Sequence, residues 1–369
     1  MSWRERFLLW FGPGFLGGVT FGDWLALLRE NHFAIDPPYW LRAAIITLGS
    51  LGNSLVRKRE TAAYSESIAE TKVESPIFVL GIWRSGTTHL QNLFAVDDRF
   101  AFPNAYQVTY PHTFLCTEAA ATRLGPLLLP RKRLQDNMRF GFEQPCEDEL
   151  ALCITTFRSE MLSLVFPRRA DYYDCYLTLL GVPEAEVAEW KDALLWFTKK
   201  LTWKCRKPLV LKSPHHTGRI RRLLEVFPDA RFVHIHRDPY VVFQSARHTV
   251  LKRVDFSTLQ RPRLDVEEWT IRLYLEMFNS FIEEKGLIKD DRIHEVRFED
   301  LERDPIGEMR RVYEALNLPD FGVVEPFMQS YVASLSGYKK NTYLPLAPEL
   351  RERIEREWRR CFESWGYPI

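Results

Sequence analysis

The chain has 369 residues, 50 of them Lys or Arg and 49 Asp or Glu, for a formal charge of +1 at pH 7. That balance excludes a global pull towards nucleic acid or anionic lipid, so any anion site must be local and no nucleic-acid partner is expected. An apolar share of 46% against 27% charged excludes a disordered chain and supplies ample core.

Phe7 to Leu28 holds a single charge, Asp23, after Arg4 and Arg6. Such a start has the look of a signal or anchor segment, but Gly12, Pro13, Gly14, Gly17, Gly18 and Gly22 weaken a helix and no clean cleavage site follows. Tyr39 to Val56 is a second apolar stretch, charged only at Arg42 and followed by Arg57, Lys58 and Arg59. Residues 1–60 therefore form an apolar helical N-terminal extension, either a cap on the core or a membrane-surface contact through residues 7–56. A polar linker over Glu60–Ser75 is expected to follow.

Ile77 to Leu80 is a buried apolar strand that runs into Gly81-Ile82-Trp83-Arg84-Ser85-Gly86-Thr87-Thr88-His89 and a helix to about Phe94. Glycines here let the backbone approach an anion, and the first N–H groups of the helix point at it. The usual P-loop, G-x-x-x-x-G-K-[ST], has lysine after its second glycine. Here Thr87 stands in that place and the cation lies in the turn as Arg84, which suits an anion without a metal-bridged triphosphate. The stretch with Pro103, Pro111, Pro126 and Pro130 reads as loops walling a cleft.

Glu147 to Leu164 reads as a helix opening on three carboxylates, either a helix-start charge cluster or an acidic group facing the cleft. Val187 to Lys204 is another, with Trp190, Leu194, Leu195 and Phe197 as its core face. Strand 208–212, helix 217–227, strand 232–236 and helix 241–250 follow, then helix 265–284, strand 294–298 and helices to Leu316. This alternation argues a parallel sheet with right-handed crossovers. Pro348 to Trp365 reads as a charged surface helix. Cys116, Cys146, Cys153, Cys175, Cys205 and Cys361 are scattered without zinc-ligand spacing, so they read as buried free thiols of a reducing compartment, with no metal site.

Arg237 ends the strand 232–236, and Ser245 lies two turns into the helix that follows, so both can converge on one anion beyond the strand ends. The alternative is an Arg237 paired with Asp238 or a surface carboxylate, and a helix-face Ser245.

The loop 81–88 followed in order by Arg237 and Ser245, eight residues apart, resembles the sulfotransferase family that uses 3′-phosphoadenosine-5′-phosphosulfate (PAPS). Leu209 to His216 is similar to its strand ending in Lys-Ser-Pro. Glu295-Val296-Arg297-Phe298-Glu299-Asp300-Leu301 is similar to its late signature, and Gly337-Tyr338-Lys339-Lys340-Asn341 to its basic closing loop. The likeness runs from about 76 to 367 and is greatest to the bacterial branch with R-S-G-T-T and L-K-S-P-x-H.

The resemblance implies a P-loop-like three-layer α/β/α sulfotransferase domain over 76–369. It implies that Ser85, Gly86, Thr87 and Thr88 hold the 5′-phosphosulfate with Arg84, and that Arg237 and Ser245 hold the 3′-phosphate. His89 falls where some relatives place an adenine contact, and Lys339 and Lys340 would cover the donor. Lys212 would face the bridging oxygen, His216 is the first candidate base with its neighbour His215 structural or exposed, and Glu149 belongs to the acidic cluster facing the cleft. Other branches carry a base shortly after the first helix; here that stretch offers Asn104 and Gln107, neither of them a base. The implied reaction moves a sulfuryl group from PAPS, without a metal, to a hydroxyl or amine on a small molecule, carbohydrate or lipid. A P-loop kinase or NTPase, and a non-catalytic nucleotide-binding protein at a membrane surface, stay open as alternatives. The compartment expected is the cytoplasm, with membrane association left open.

Overall fold

The computed structural model describes residues 12–128, 141–261, 265–337, 343 and 345–369. Lys339, Lys340 and the first residues of the apolar prelude lie outside them. Within the described residues the chain divides into two compact units, each assembled from distant segments. The first takes residues up to 72, 103–206 and 249–265; the second takes 73–102, 207–248 and 266–369.

The second unit is built on a four-stranded, all-parallel sheet: β1 (Ile77–Leu80), β2 (Val210–Lys212), β3 (Arg231–His236) and β4 (Ile293–Arg297), in the order β2-β1-β3-β4. Leu80 pairs in register with His234, so β3 runs two residues past the end of β1. β1 and β2 are wholly buried, as strands covered on both faces must be. On one face Ile77, Val79, Val233 and Ile235 meet Leu90, Leu93 and Phe94 of the helix Thr87–Phe94 and Met309 and Val312 of the helix Pro305–Ala315. On the other, Phe78 stacks on Phe232 at 5.7 Å, and His234 stacks on Phe281 of the helix Val266–Glu284 at 3.8 Å. These are the three layers the alternating pattern requires.

The first unit is helical. A helix Trp40–Glu70 and a helix Glu184–Cys205 are its long members. They share a buried ion pair, Glu60 with Lys200, at 3% and 1% exposure. Burial pushes the Lys200 ammonium down to about 8. The Lys200 ammonium also lies 4.3 Å from the Phe114 ring centre. Trp190, Leu194 and Phe197 are fully buried, as their spacing predicts, while Leu195 is half-buried.

Several expected elements differ. The polar linker 60–75 is helical to Glu70, because the Glu60 carboxylate is anchored inside rather than solvated. The proline-marked stretch holds two helices, Ala105–Thr109 and Phe114–Leu128; Asn104 and Gln107 form a capping box that starts the first. The helix expected over 147–164 ends at Thr156, where Phe157 turns left-handed with φ 57°, and resumes only at Leu162–Val165. Thr217 belongs to a short 3₁₀ turn, Pro214–Gly218, ahead of the helix Ile220–Val226. The C-terminal helix breaks at Trp358 and is not merely a surface element, since Ile354, Trp358, Cys361 and Phe362 are buried. Of the six thiols, all free, only Cys153 and Cys361 are buried, and Cys116 is exposed.

Candidate active site

The candidate site lies in the second unit, at the carboxyl ends of β1, β2 and β3. The turn after β1 is a cradle closed by contacts that exclude a side chain at two glycines. Gly81 has φ +150°, and a Cβ there would come within 2.6 Å of both the Ile235 carbonyl oxygen and Ser85 Oγ. Gly86 has φ +108°, and a Cβ there would lie 2.3 Å from Cδ2 of Phe298. Arg84 also adopts a left-handed backbone, φ 68°, a conformation that costs a non-glycine residue about 1–3 kcal/mol and concentrates at ligand sites. The Gly81 N–H donates to Thr217 Oγ1 at 2.8 Å, which ties the turn to the segment after β2.

Two cations meet at this turn from different strands. Arg84 Nε donates to Ser245 Oγ at 2.8 Å, and Arg237 Nη1 reaches the Arg84 carbonyl at 3.5 Å. Arg237, from the end of β3, lies flat over the Phe298 ring, its Cζ 4.0 Å from the centroid. Burial pushes its guanidinium pKa down, against the attraction of Glu299 and Glu302. Among the described residues no carboxylate pairs with it. Asp238, its sequence neighbour, instead caps the next helix, its Oδ1 accepting from the amide of Tyr240 at 2.8 Å. On the far side of Ser245 the Tyr343 hydroxyl is 3.0 Å away.

Lys212, at the end of β2, is 1% exposed, with Nζ 3.5 Å from Thr88 Oγ1. Thr87 is buried beside it in sequence, and Ser85, 2% exposed, has a hydroxyl with no hydrogen-bond partner among the described residues. A buried orphan hydroxyl, three positive-φ turn positions, a helix N-terminus and three cations make a cradle whose chemistry fits a phosphate-type anion. His89 lies half-buried in the first turn of the helix Thr87–Phe94.

The two histidines after Lys212 separate. His216 is fully buried, its ring edge-on to Phe78 at 5.2 Å, within the core layer. His215, also buried, stands edge-on to Trp83 of the cradle turn at 5.6 Å, with Nδ1 3.0 Å from Ser213 Oγ. His215 thus touches the cradle turn through Trp83. Glu149 belongs to the other compact unit; it is buried there, with Oε1 accepting from Ser159 Oγ at 2.6 Å.

Three residues of the cradle escaped the sequence reading. Trp83 and Phe298 carry no signal of their own in the sequence beyond the motifs that contain them. Tyr343 had no local signal, because only the fold brings it to Ser245. In the helical unit Asn104 Nδ2 donates to Glu118 at 2.7 Å, and Gln107 Nε2 donates to the same carboxylate at 3.1 Å. That carboxylate is also ion-paired with Lys204 of the helix Glu184–Cys205.

A parallel α/β sheet with this cradle defines an anion-binding α/β protein, and its family follows from comparison. A sequence model described as "Sulfotransferase family" matches residues 76–322. The omega-hydroxy-beta-dihydromenaquinone-9 sulfotransferase of Mycobacterium tuberculosis is 36% identical over 367 residues, covering 99% of this chain and 93% of that protein. The protein of the same description from Mycobacterium bovis matches to the same extent. Among solved structures, a sulfotransferase from Mycobacterium avium superposes with a TM-score of 0.74 at 21% identity, covering 94% of this chain and 92% of that one. A second, from Mycobacterium tuberculosis, gives 0.61 at 16% identity, covering 90% and 91%. The chain belongs to the sulfotransferase family and is a sulfotransferase. The kinase and NTPase alternative falls away.

Proposed function

We propose that the enzyme transfers a sulfuryl group from PAPS, without a metal, to the hydroxyl of a lipid-class acceptor. The observation that carries the donor assignment is the convergence of Arg84, Arg237, Ser245 and Tyr343 at one point of the cradle. An arginine held over an aromatic face with a serine and a phenol alongside suits a terminal phosphate. The turn 84–88, with its helix N-terminus and the Ser85 hydroxyl, suits the phosphosulfate end.

The bound donor supplies an activated sulfuryl group and a phosphate leaving group. The rest of the chemistry is positioning and charge. Lys212, buried at the end of β2, would neutralise the negative charge that grows on the leaving phosphate, and Arg84 would share that load. In a site shielded from water such preorganised cations serve where a divalent ion serves in phosphoryl transfer. Thr88, within reach of Lys212, would keep the ammonium aimed. A base must reach the acceptor proton; the contact of His215 with Trp83 makes it a candidate beside His216 for that place, or for positioning a water or acceptor there.

The acceptor assignment rests on relatives. Identity of 36% across nearly the full length of both chains, to enzymes named for an omega-hydroxylated menaquinone derivative, supports a terminal hydroxyl on a long apolar molecule. The decisive assay is transfer of radiolabelled sulfate from PAPS, in the presence of chelator, to an omega-hydroxylated prenyl quinone. Lys212→Ala should lower kcat about 100-fold or more, in the range seen when a preorganised charge stabiliser is removed. Transfer that requires added magnesium, or that survives Lys212→Ala intact, would overturn the proposal.

A further inference from the structure

The helix Trp40–Glu70 buries one face in its own unit and leaves another uncovered. Arg42, Ala43, Ile46 and Ser50 are buried, with Arg42 donating to the Thr258 carbonyl at 2.7 Å. Elsewhere on the helix Leu41, Leu48, Leu51 and Leu55 are exposed by 49%, 71%, 46% and 68%. Positions 41, 48 and 55 are spaced one heptad apart, spanning two heptads, and 51 falls between, so the four leucines form one stripe about 21 Å long. Trp40, 62% exposed, extends it at the N-terminal end. A contiguous apolar face of this kind marks an interaction site rather than ordinary surface.

The charge pattern identifies the partner. Arg42 is the only charge between Tyr39 and Val56 and it points inward, so the stripe itself carries none. Lys58 and Arg59 are exposed and sit three and four residues after Leu55, on the continuation of the same stripe. Arg57 is held by Asp23 at 3.0 Å, whereas among the described residues no carboxylate pairs with Lys58 or Arg59. An open cavity of about 490 Å³ lies at this basic end, lined by Thr20, Ser54, Arg57, Lys58, Thr61 and Ala62. No helix of the described residues is long and apolar enough to cross a membrane.

We infer that this face docks on the surface of an anionic bilayer. The leucine stripe enters the boundary between headgroups and acyl chains, Trp40 lies at the interface, and Lys58 and Arg59 sit among lipid phosphates, with the cavity beside them able to receive a headgroup. An apolar stripe ending in unpaired cations is the complement of such a surface. Docking would let the enzyme collect a membrane-borne hydroxyl. That consequence rests on the lipid acceptor proposed above, whereas the docking itself does not.

Flotation of the full-length protein with vesicles tests it, comparing phosphatidylcholine alone with phosphatidylcholine mixed with phosphatidylglycerol. Wild type should float with the mixed vesicles and respond to salt. Leu48→Glu and Leu55→Glu should each weaken binding about tenfold, and Lys58→Ala and Arg59→Ala about fivefold each. Adenosine 3′,5′-bisphosphate affinity should stay unchanged in all four variants, which separates a failure of docking from a failure of the donor-site reading. No flotation of wild type, or equal flotation of the leucine variants, overturns the inference. So does a wild-type dimer in sedimentation that dissociates on Leu48→Glu, because a second copy would then cover the face.

Discussion

Gly86→Ala puts the cradle geometry to a quantitative test. Gly86 combines φ +108° with a Cβ position 2.3 Å from Cδ2 and 2.8 Å from Cε2 of Phe298. The backbone alone costs alanine about 1–2 kcal/mol in a left-handed conformation. Displacing a packed ring adds about 1–3 kcal/mol, for a total near 2–5 kcal/mol. Phe298 has little freedom to yield, since it is 8% exposed and belongs to the core that Val79 and Ile235 share. It also supports the Arg237 guanidinium, so whatever movement it makes is passed to the anion site. Urea denaturation of wild type, Gly86→Ala, Phe298→Ala and the double variant separates the two contributions. The double variant should be less destabilised than the sum of the singles by about 1–3 kcal/mol, because removing the ring removes the clash but not the φ cost. A near-neutral Gly86→Ala, or strict additivity within about 0.5 kcal/mol, would refute the reasoning.

Other expectations follow from the same contacts. Lys200→Met leaves the Glu60 carboxylate buried without its cation and should destabilise by about 3–5 kcal/mol, whereas Glu60→Leu with Lys200→Met should recover most of the loss by the same denaturation assay. Tyr343→Phe removes one hydrogen bond at Ser245 and should weaken bisphosphate affinity about threefold to tenfold while the denaturation midpoint stays put; unchanged affinity would remove Tyr343 from the site. Burial pushes His236 down to about 4 and lowers His234 beside it, so the folded state favours neutral rings. The unfolded chain takes up those protons first as pH falls from about 6.5 to 4, and stability should drop in that window, by about 3 kcal/mol for His236 alone at pH 4. Glu295, held down to about 2 by its hydrogen bond to His234, loses its own contribution only below about pH 4.5; a denaturation midpoint that is flat from pH 7 to 4 would contradict this.

What the sequence disclosed about the fold depended on how local the determinants are. The buried strand before Gly81, the arginine ending the strand at 237 and the serine eight residues on are short-range patterns; the structure joins Arg84 to Ser245 and brings Arg237 to the Arg84 carbonyl. Tyr343 and the His215–Trp83 contact depend on tertiary folding and left no periodic trace. Residues 60–70 were misjudged because charged residues in sequence look solvated, yet Glu60 is drawn inside by Lys200 and the Cys116 amide. The long helix expected after Glu147 was cut at Phe157, a left-handed position that no glycine advertised. His216, which resembles a family base by position, has its ring edge-on to Phe78, a contact that depends on which face of the sheet the turn after β2 covers.

Calorimetric titration of adenosine 3′,5′-bisphosphate into wild type and Arg237→Ala, with chelator present and beside magnesium-ATP, tests the central claim most directly. The account predicts tight metal-independent binding to wild type, weakened about 30-fold or more in Arg237→Ala through loss of a charge-assisted phosphate contact of about 2 kcal/mol or more. Equal binding by the variant, or a preference for magnesium-ATP, would contradict it.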